Sequence, residues 1–126
     1  MLLDGGVEDK EVLAFVNAAL KSIWTLEVLL FLRREPGRAR KVGELVTELR
    51  ASTTVVEKAT VALESVGLVI AEGGTVRFEP ASEQLVSYVD AVALLYRTKP
   101  VSVVKALAKT PDEKLRQFAN SFRLRD

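Results

Sequence analysis

The spacing of apolar residues predicts two helices in the N-terminal part of the chain, residues 7–35. Apolar side chains recur at helical intervals over Val7–Leu20, and three acidic residues near its start favour the positive end of a helix dipole. A second helix is predicted over Ser22–Arg34, with the serine as its N-cap. Pro36-Gly37 ends this helix, and residues 38–41 are expected to form a short linker.

The middle of the chain predicts a helix, a tight turn and a further helix. The first of these helices spans Val42–Leu49, and Arg50-Ala51 forms the turn. Ser52 is a candidate N-cap for the next helix, which spans about Thr53–Val66. Gly67 is expected to end that helix in the left-handed conformation that glycine tolerates. The positions expected to face the core are Val55, Ala59, Ala62, Leu63 and Val66.

A period of two replaces the helical spacing after Gly67. Leu68–Glu72 and Thr75–Glu79 are rich in β-forming residues and flank Gly73-Gly74. Two such segments joined by a glycine pair are typical of a hairpin with a primed two-residue turn. The alternation predicts that Val76 and Phe78 share one face of this hairpin.

The C-terminal part, residues 82–126, predicts three more helices. The first extends from Ser82, a candidate N-cap, to about Arg97, and two shorter helices are predicted over about Val101–Lys109 and Thr110–Phe122. The first helix carries more apolar residues than one buried face of a surface helix needs. Two interpretations stay open: the excess forms a dimer interface, or the two shorter helices cover it within one chain.

Particular residues mark the junctions of the central segment. Val42 and Glu44-Leu45 open its first helix, Ser52-Thr53-Thr54-Val55 open the second, and Leu63–Val69 leads into the hairpin. With these residues, Ile23–Pro80 resembles the winged helix-turn-helix domains of bacterial transcriptional regulators, most closely the MarR and ArsR types. The resemblance implies a mainly α fold with a small β-hairpin. The winged helix-turn-helix would occupy residues 38–80 of a single domain, 1–126, with extra N-terminal and C-terminal helices.

In the family that the chain resembles, the second helix of the motif enters the major groove of DNA. Threonine hydroxyls at its start can donate to phosphate, and their methyl groups can meet thymine. Lys58 can reach a phosphate or guanine, whereas Glu57 can accept from cytosine N4 but repels the backbone. In the other interpretation, the threonines complete a capping turn and the charges form a solvated face. The contact residues that the resemblance implies on this helix are Ser52, Thr53, Thr54, Glu57, Lys58 and Val61.

Basic residues around the motif are candidates for phosphate contacts. About six such contacts would give an affinity that depends strongly on salt. However, the segment 36–81 holds equal numbers of basic and acidic residues, and the tip of its hairpin is glycine alone. This balance keeps open an alternative function, a winged-helix protein-protein interaction module without DNA binding. Besides Lys58, the candidate phosphate contacts are Arg38, Arg40, Lys41, Arg50 and Arg77.

Composition excludes several kinds of chemistry. The chain has no cysteine and no histidine, which removes disulfides, thiol catalysis, histidine bases and Cys/His zinc sites. It has no glycine-rich phosphate loop, so we predict no enzyme, no cofactor and no metal. No secretory signal and no membrane-spanning apolar segment is evident, which favours a cytoplasmic protein. The predicted partners are duplex DNA and a second copy of the chain, with no membrane. The sequence leaves a small-molecule effector unknown.

Aromatic residues are expected to serve packing. Trp24 lies on an apolar helix and is predicted to be a core residue whose indole N–H finds a carbonyl or water. Tyr88 and Tyr96 lie about two turns apart on the helix after the hairpin and are predicted to be packing or interface residues. A ligand-stacking role for Trp24 is the alternative.

Overall fold

The computed structural model describes residues 7–108, which form a mainly helical fold with one small antiparallel sheet. The helix predicted over Thr110–Phe122 lies outside these residues. In chain order the elements are α1 (Asp9–Phe15), a π-helical segment (Val16–Leu20), α2 (Ile23–Arg33), β1 (Arg40–Lys41), α3 (Val42–Leu49), α4 (Thr53–Ser65), β2 (Val69–Glu72), β3 (Thr75–Phe78), α5 (Glu83–Thr98) and α6 (Pro100–Ala108).

The N-terminal helices follow the predicted pattern, with one irregularity. α1 has two acidic residues in its first turn and continues directly into the π-helical segment. Lys21 ends that segment in the left-handed conformation, with a φ of 64°. Ser22 then caps α2, because its Oγ accepts a hydrogen bond from the Thr25 backbone N–H at 3.1 Å. The helices predicted in this part of the chain are therefore confirmed.

Two caps define the connection between α3 and α4. At the start of α3, the Glu44 carboxylate accepts a hydrogen bond from the Lys41 backbone N–H at 2.8 Å. At its end, Arg50 adopts the left-handed conformation with a φ of 54°. Ser52 begins α4 by accepting a hydrogen bond from the Val55 backbone N–H at 3.1 Å. These local hydrogen bonds fix a tight turn between the two helices.

The hairpin forms at the predicted place. β2 and β3 pair antiparallel, and Glu72 lies opposite Thr75 at the turn. Gly73 and Gly74 have φ values of 60° and 78°, as a primed two-residue turn requires. The side chains of Val76 and Phe78 are both buried, so the predicted face of the hairpin is confirmed.

The predicted linker over residues 38–41 is partly wrong. Arg40 and Lys41 form β1, which pairs with β3 and makes a three-stranded sheet in the order β1-β3-β2. No local pattern of residues indicates this strand, because only two residues take part. Its hydrogen-bonding partners, Val76 and Thr75, lie more than thirty residues further along the chain.

The core lies where α2, α4 and the sheet meet. Leucines from α2, α3 and α4 are fully buried there, together with Val76 of β3. The predicted inward face of α4 needs a correction: Val56 and Thr60 are buried, whereas Val55, Ala62 and Val66 are only partly buried. α4 packs against α2, α3, β2 and the π-helical segment at once, and this arrangement rotates its buried face from the predicted one.

The prediction that Trp24 is a core residue is wrong. Trp24 is 36% exposed, whereas Thr25 and Leu26, which follow it in the first turn of α2, are buried. Its neighbour Ile23 is also exposed. Both residues line a shallow groove of about 300 Å³, together with Glu27 and with Leu49 at the end of α3.

The packing roles predicted for two tyrosines are confirmed. Tyr88 stacks on Phe15, with 5.0 Å between the ring centroids. The Tyr96 hydroxyl donates a hydrogen bond to Glu27 Oε2 at 3.0 Å. Partial burial is the largest cause that raises the pKa of Tyr96, and this hydrogen bond raises it further. Both tyrosines therefore attach α5 to the N-terminal helices.

α5 and α6 complete the described part of the chain. Ser82 caps α5 by accepting a hydrogen bond from the Leu85 backbone N–H at 3.2 Å. α6 returns to the N-terminal helices, where the Asn17 side-chain amide donates to the Ala106 carbonyl oxygen at 2.8 Å. The two ends of the described chain are thus joined by a buried hydrogen bond.

No single helix in residues 7–108 is long and apolar enough to cross a membrane. Asp9–Leu20 and Ile23–Arg33 reach the required length and apolar character only as a pair, and this pair is bent by 105°. Both members bury apolar side chains in the core of the fold.

Candidate nucleic-acid interface

The outer face of α4 is free of packing contacts along most of its length. Thr53, Thr54, Glu57 and Lys58 are exposed, and the Val61 side chain is 65% exposed. Their spacing of three and four residues puts them on one side of the helix, opposite the buried leucine and valine positions. The resemblance implies that these five residues point outward, and all five are exposed.

Ser52 has hydrogen-bonding capacity beyond its cap. Its Oγ accepts from the Val55 backbone N–H, which uses one lone pair of the hydroxyl. The hydroxyl proton is not needed for this cap, so it can donate to an oxygen acceptor at the start of α4. A phosphate oxygen close to the first turn would also meet the positive end of the helix dipole.

Three of the predicted phosphate contacts are exposed and make no ion pair within the described residues. Lys41 lies at the start of α3, Arg50 lies in the turn before α4, and Lys58 lies in the second turn of α4. Arg50 holds its backbone in the left-handed region at the end of α3. Its side chain is therefore attached at the junction of α3 and α4.

Glu35 engages two of the other predicted contacts. One carboxylate oxygen, Oε1, lies 2.6 Å from Arg38 Nη1 and 2.7 Å from Arg40 Nη2. The hydrogen bonds from Arg40 and Arg38 lower the pKa of Glu35. The Arg40 guanidinium also lies over the Phe31 ring at 4.8 Å, and only 16% of its side chain is exposed. Arg40 therefore helps to attach β1 to the end of α2.

Arg77 is engaged by two carboxylates on the outer face of the hairpin. Its Nε lies 2.8 Å from Glu79 Oε1, and its Nη1 lies 2.8 Å from Glu72 Oε1. The hydrogen bonds to Glu79 and Glu72 raise the pKa of Arg77. These three side chains project from the face opposite the buried Val76 and Phe78.

The predicted site residues therefore fall into two groups. Lys41 and the residues on α4 and in the turn before it are exposed, whereas Arg38, Arg40 and Arg77 are bound to carboxylates. These carboxylate partners were not predicted from the sequence. Strand alternation could have indicated Glu79, since it lies two residues after Arg77 on the same face. The pairing of Glu35 with two arginines depends on the turn that follows α2.

The described residues offer little for a metal. Across positions 7–108 no three His, Cys, Asp or Glu side chains are grouped so that they could hold an ion. The larger concave surface is an open groove of about 630 Å³ between the end of α2, β3 and α5. The ion pair between Arg33 and Asp90, 2.9 Å long, lies at its edge.

Comparison with known proteins adds no relative. No protein-family model, no curated protein and no solved structure matches this chain. What the chain does is therefore inferred from its own residues and their arrangement.

Proposed function

We propose that this protein is a DNA-binding transcriptional regulator that uses a winged helix-turn-helix to contact duplex DNA. α3 and α4 would form the helix-turn-helix, and the hairpin of β2 and β3 would be the wing. α4 would lie in the major groove and act in the cytoplasm as part of a homodimer. The observation that carries the proposal is the exposed outer face of α4, which begins at a serine cap and includes Thr54 and Lys58.

The first turn of α4 supplies groups suited to base edges and phosphates. Thr53 and Thr54 each carry a hydroxyl and a methyl group, and both residues are exposed. Glu57 can accept from cytosine N4, and Val61 can meet a thymine methyl. Because these residues share one side of α4, one approach to a groove would bring all of them near the bases.

Phosphate anchoring would come first from Lys41, Arg50 and Lys58. These cations lie at the start of α3, in the turn before α4 and on α4 itself. Each neutralised phosphate releases counterions, and affinity then falls steeply with salt. The polar first turn of α4 adds backbone N–H groups of the kind that bind phosphate at helix starts.

Electrophoretic mobility shifts at low salt test the proposal. The wild-type chain should shift fragments of its own genome, and the double variant Arg50→Ala, Lys58→Ala should bind roughly tenfold or more weakly. The reason is that hydrogen bonds to charged groups contribute roughly 1.5–3 kcal/mol each. The slope of log affinity against log salt should also fall by about two in magnitude.

A matched pair of substitutions controls for net charge. Lys10→Ala with Lys105→Ala removes two exposed cations from α1 and α6, and it should leave affinity within about twofold if those residues touch no phosphate. Absence of binding to every genomic fragment would refute the proposal. Equal losses from the two double variants would refute the assigned role of α4.

A second candidate function has its own observation in favour. The outer face of α4 carries one acid and one base, Glu57 and Lys58, and Val61 is exposed there. Three of the six candidate cations are bound to carboxylates. A neutral, partly apolar face suits a protein partner better than a polyanion. In that case Val61→Asp would abolish capture of the partner, while the chain would bind no duplex at low salt.

The homodimer is supported by apolar side chains on the C-terminal helices. Leu94 of α5 and Val101 and Val104 of α6 are all exposed. Two-fold pairing would set two copies of α4 roughly 34 Å apart, which is one turn of DNA. Sedimentation velocity should show a dimer for the wild type and a monomer for Leu94→Asp, Val101→Asp. A wild-type monomer would favour coverage of this surface within one chain.

A further inference from the structure

Two carboxylates on the outer face of the hairpin bind the arginine that a DNA phosphate would contact. Arg77 is the only basic residue on β2 and β3, and it already makes two ion pairs of 2.8 Å, with Glu72 and Glu79. A guanidinium binds carboxylates and phosphates through the same planar set of donors. Two of the five N–H donors of Arg77, one on Nε and one on Nη1, are therefore occupied within the chain.

The exposure of the three side chains favours exchange. Arg77 retains 25% of its side-chain surface in contact with solvent, while Glu72 and Glu79 retain 66% and 57%. Ion pairs this exposed are weak, because water screens the charges and the side chains lose entropy when held together. A phosphate that approaches the outer face of the hairpin would thus displace the carboxylates with a small loss of ion-pair free energy. The negative charge of the two carboxylates would also repel this phosphate.

We propose that Glu72 and Glu79 compete with the DNA backbone for Arg77 and so hold the affinity of the protein for duplex DNA below what its cations allow. This inference rests on the proposed function. Removal of both carboxylates frees Arg77 to make a phosphate contact that it does not make in the wild type. The formal charge of these three side chains then changes from −1 to +1.

The test is fluorescence anisotropy with a labelled duplex that the wild type binds, over a series of salt concentrations. Glu72→Gln, Glu79→Gln should bind roughly three- to tenfold more tightly at low salt, given that each exposed ion pair contributes only ~0.2–1 kcal/mol. Its slope of log affinity against log salt should rise in magnitude by about one, the mark of one added phosphate contact.

A second pair of glutamates controls for the loss of negative charge. Glu48 and Glu64 are exposed on α3 and α4 and make no ion pair within the described residues. Glu48→Gln, Glu64→Gln removes two negative charges, as the hairpin pair does, but frees no arginine, so its salt slope should match the wild type. Thermal unfolding shows whether each variant is folded. If the double variant Glu72→Gln, Glu79→Gln unfolds, the single substitutions Glu72→Gln and Glu79→Gln should each give a smaller gain in affinity.

Arg77→Gln completes the cycle. In the wild type it should change affinity by less than twofold, whereas in Glu72→Gln, Glu79→Gln it should abolish the whole gain. If the wild type binds DNA, and the Glu72/Glu79 variant has the same affinity and salt slope as the Glu48/Glu64 variant, the competition is refuted while the proposed function stands. If no variant binds any duplex at low salt, the proposed function fails and the competition fails with it.

Discussion

Gly67 shows how one backbone angle decides where α4 ends. Its φ is +79°, a region that costs an L residue energy because Cβ approaches the carbonyl oxygen. A Cβ added there would also lie 3.4 Å from Ala81 Cβ and 3.7 Å from Leu85 Cδ1. The Gly67 carbonyl oxygen accepts a hydrogen bond from the Ala81 N–H at 2.8 Å, so the peptide cannot rotate freely.

We therefore expect Gly67→Ala to lower the free energy of unfolding by roughly 1–2 kcal/mol, the cost of a left-handed alanine. Gly43→Ala is the matched control, because Gly43 lies within α3 at negative φ and a Cβ there meets nothing within 4 Å. It should stabilise the protein by roughly 0.5–1 kcal/mol. Urea denaturation followed by circular dichroism measures both. Equal effects from the two substitutions would contradict the strain assigned to Gly67.

Helix starts are the elements that local sequence encodes best. Ser22, Ser52 and Ser82 were each predicted as N-caps, and each accepts a hydrogen bond from the backbone N–H three residues later. The information lies within four residues, so the sequence was sufficient. β1 shows the opposite case, because its two residues form a strand only through contact with β3. The rotated buried face of α4 likewise depends on four neighbours that no short segment specifies.

Ser82→Ala tests the contribution of one cap. It should lower the free energy of unfolding by roughly 1 kcal/mol, because the first turn of α5 loses an acceptor. Ser87→Ala, on an exposed position inside the same helix, should change that energy by no more than about 0.5 kcal/mol. Thermal melts of the two variants give the comparison. If Ser87→Ala lowers the free energy of unfolding as much as Ser82→Ala does, the N-cap hydrogen bond does not account for the loss.

Contacts between elements that lie far apart in the sequence hold the whole molecule together, and these contacts were not predicted from the sequence. The buried hydrogen bond from Asn17 to Ala106 and the ion pair between Lys99 and Asp9, 3.0 Å long, both connect α1 and its extension with the C-terminal helices. The resemblance to winged helix-turn-helix domains, mapped onto α4, implied which residues of the candidate interface face outward. The ion pairs of Arg38, Arg40 and Arg77 were not, since they depend on how the chain turns after α2 and on hairpin register.

Whole-molecule stability should be nearly independent of pH between about 6 and 8. The chain has no histidine and no cysteine, so apart from an α-amino group no side chain with an ordinary pKa titrates there. Glu35 has a pKa below its usual 4.5, so its stabilisation is present above that pH and is lost as pH falls through the folded value. Tyr96 has a pKa above its usual 10.0, so its contribution is lost as pH rises beyond that value.

Thermal midpoints measured from pH 3 to pH 11 check this profile. A plateau near neutrality with a decline on both sides is expected, and Tyr96→Phe should soften the alkaline decline. Glu35→Gln should soften the acidic decline for the same reason. A steep slope between pH 6 and pH 8 would contradict the profile, because it would require a titrating group that the composition lacks.

The exposed position of Trp24 has a further consequence. It is the only tryptophan in the chain, so nearly all ultraviolet-excited emission of the protein arises from one indole at the edge of the groove between α2 and α3. Leu49 lines the same groove and directly precedes Arg50. A duplex bound at the turn before α4 would change the solvent around this indole. The protein therefore carries an intrinsic fluorophore beside its proposed DNA-contacting surface, and occupancy can be followed without an added dye.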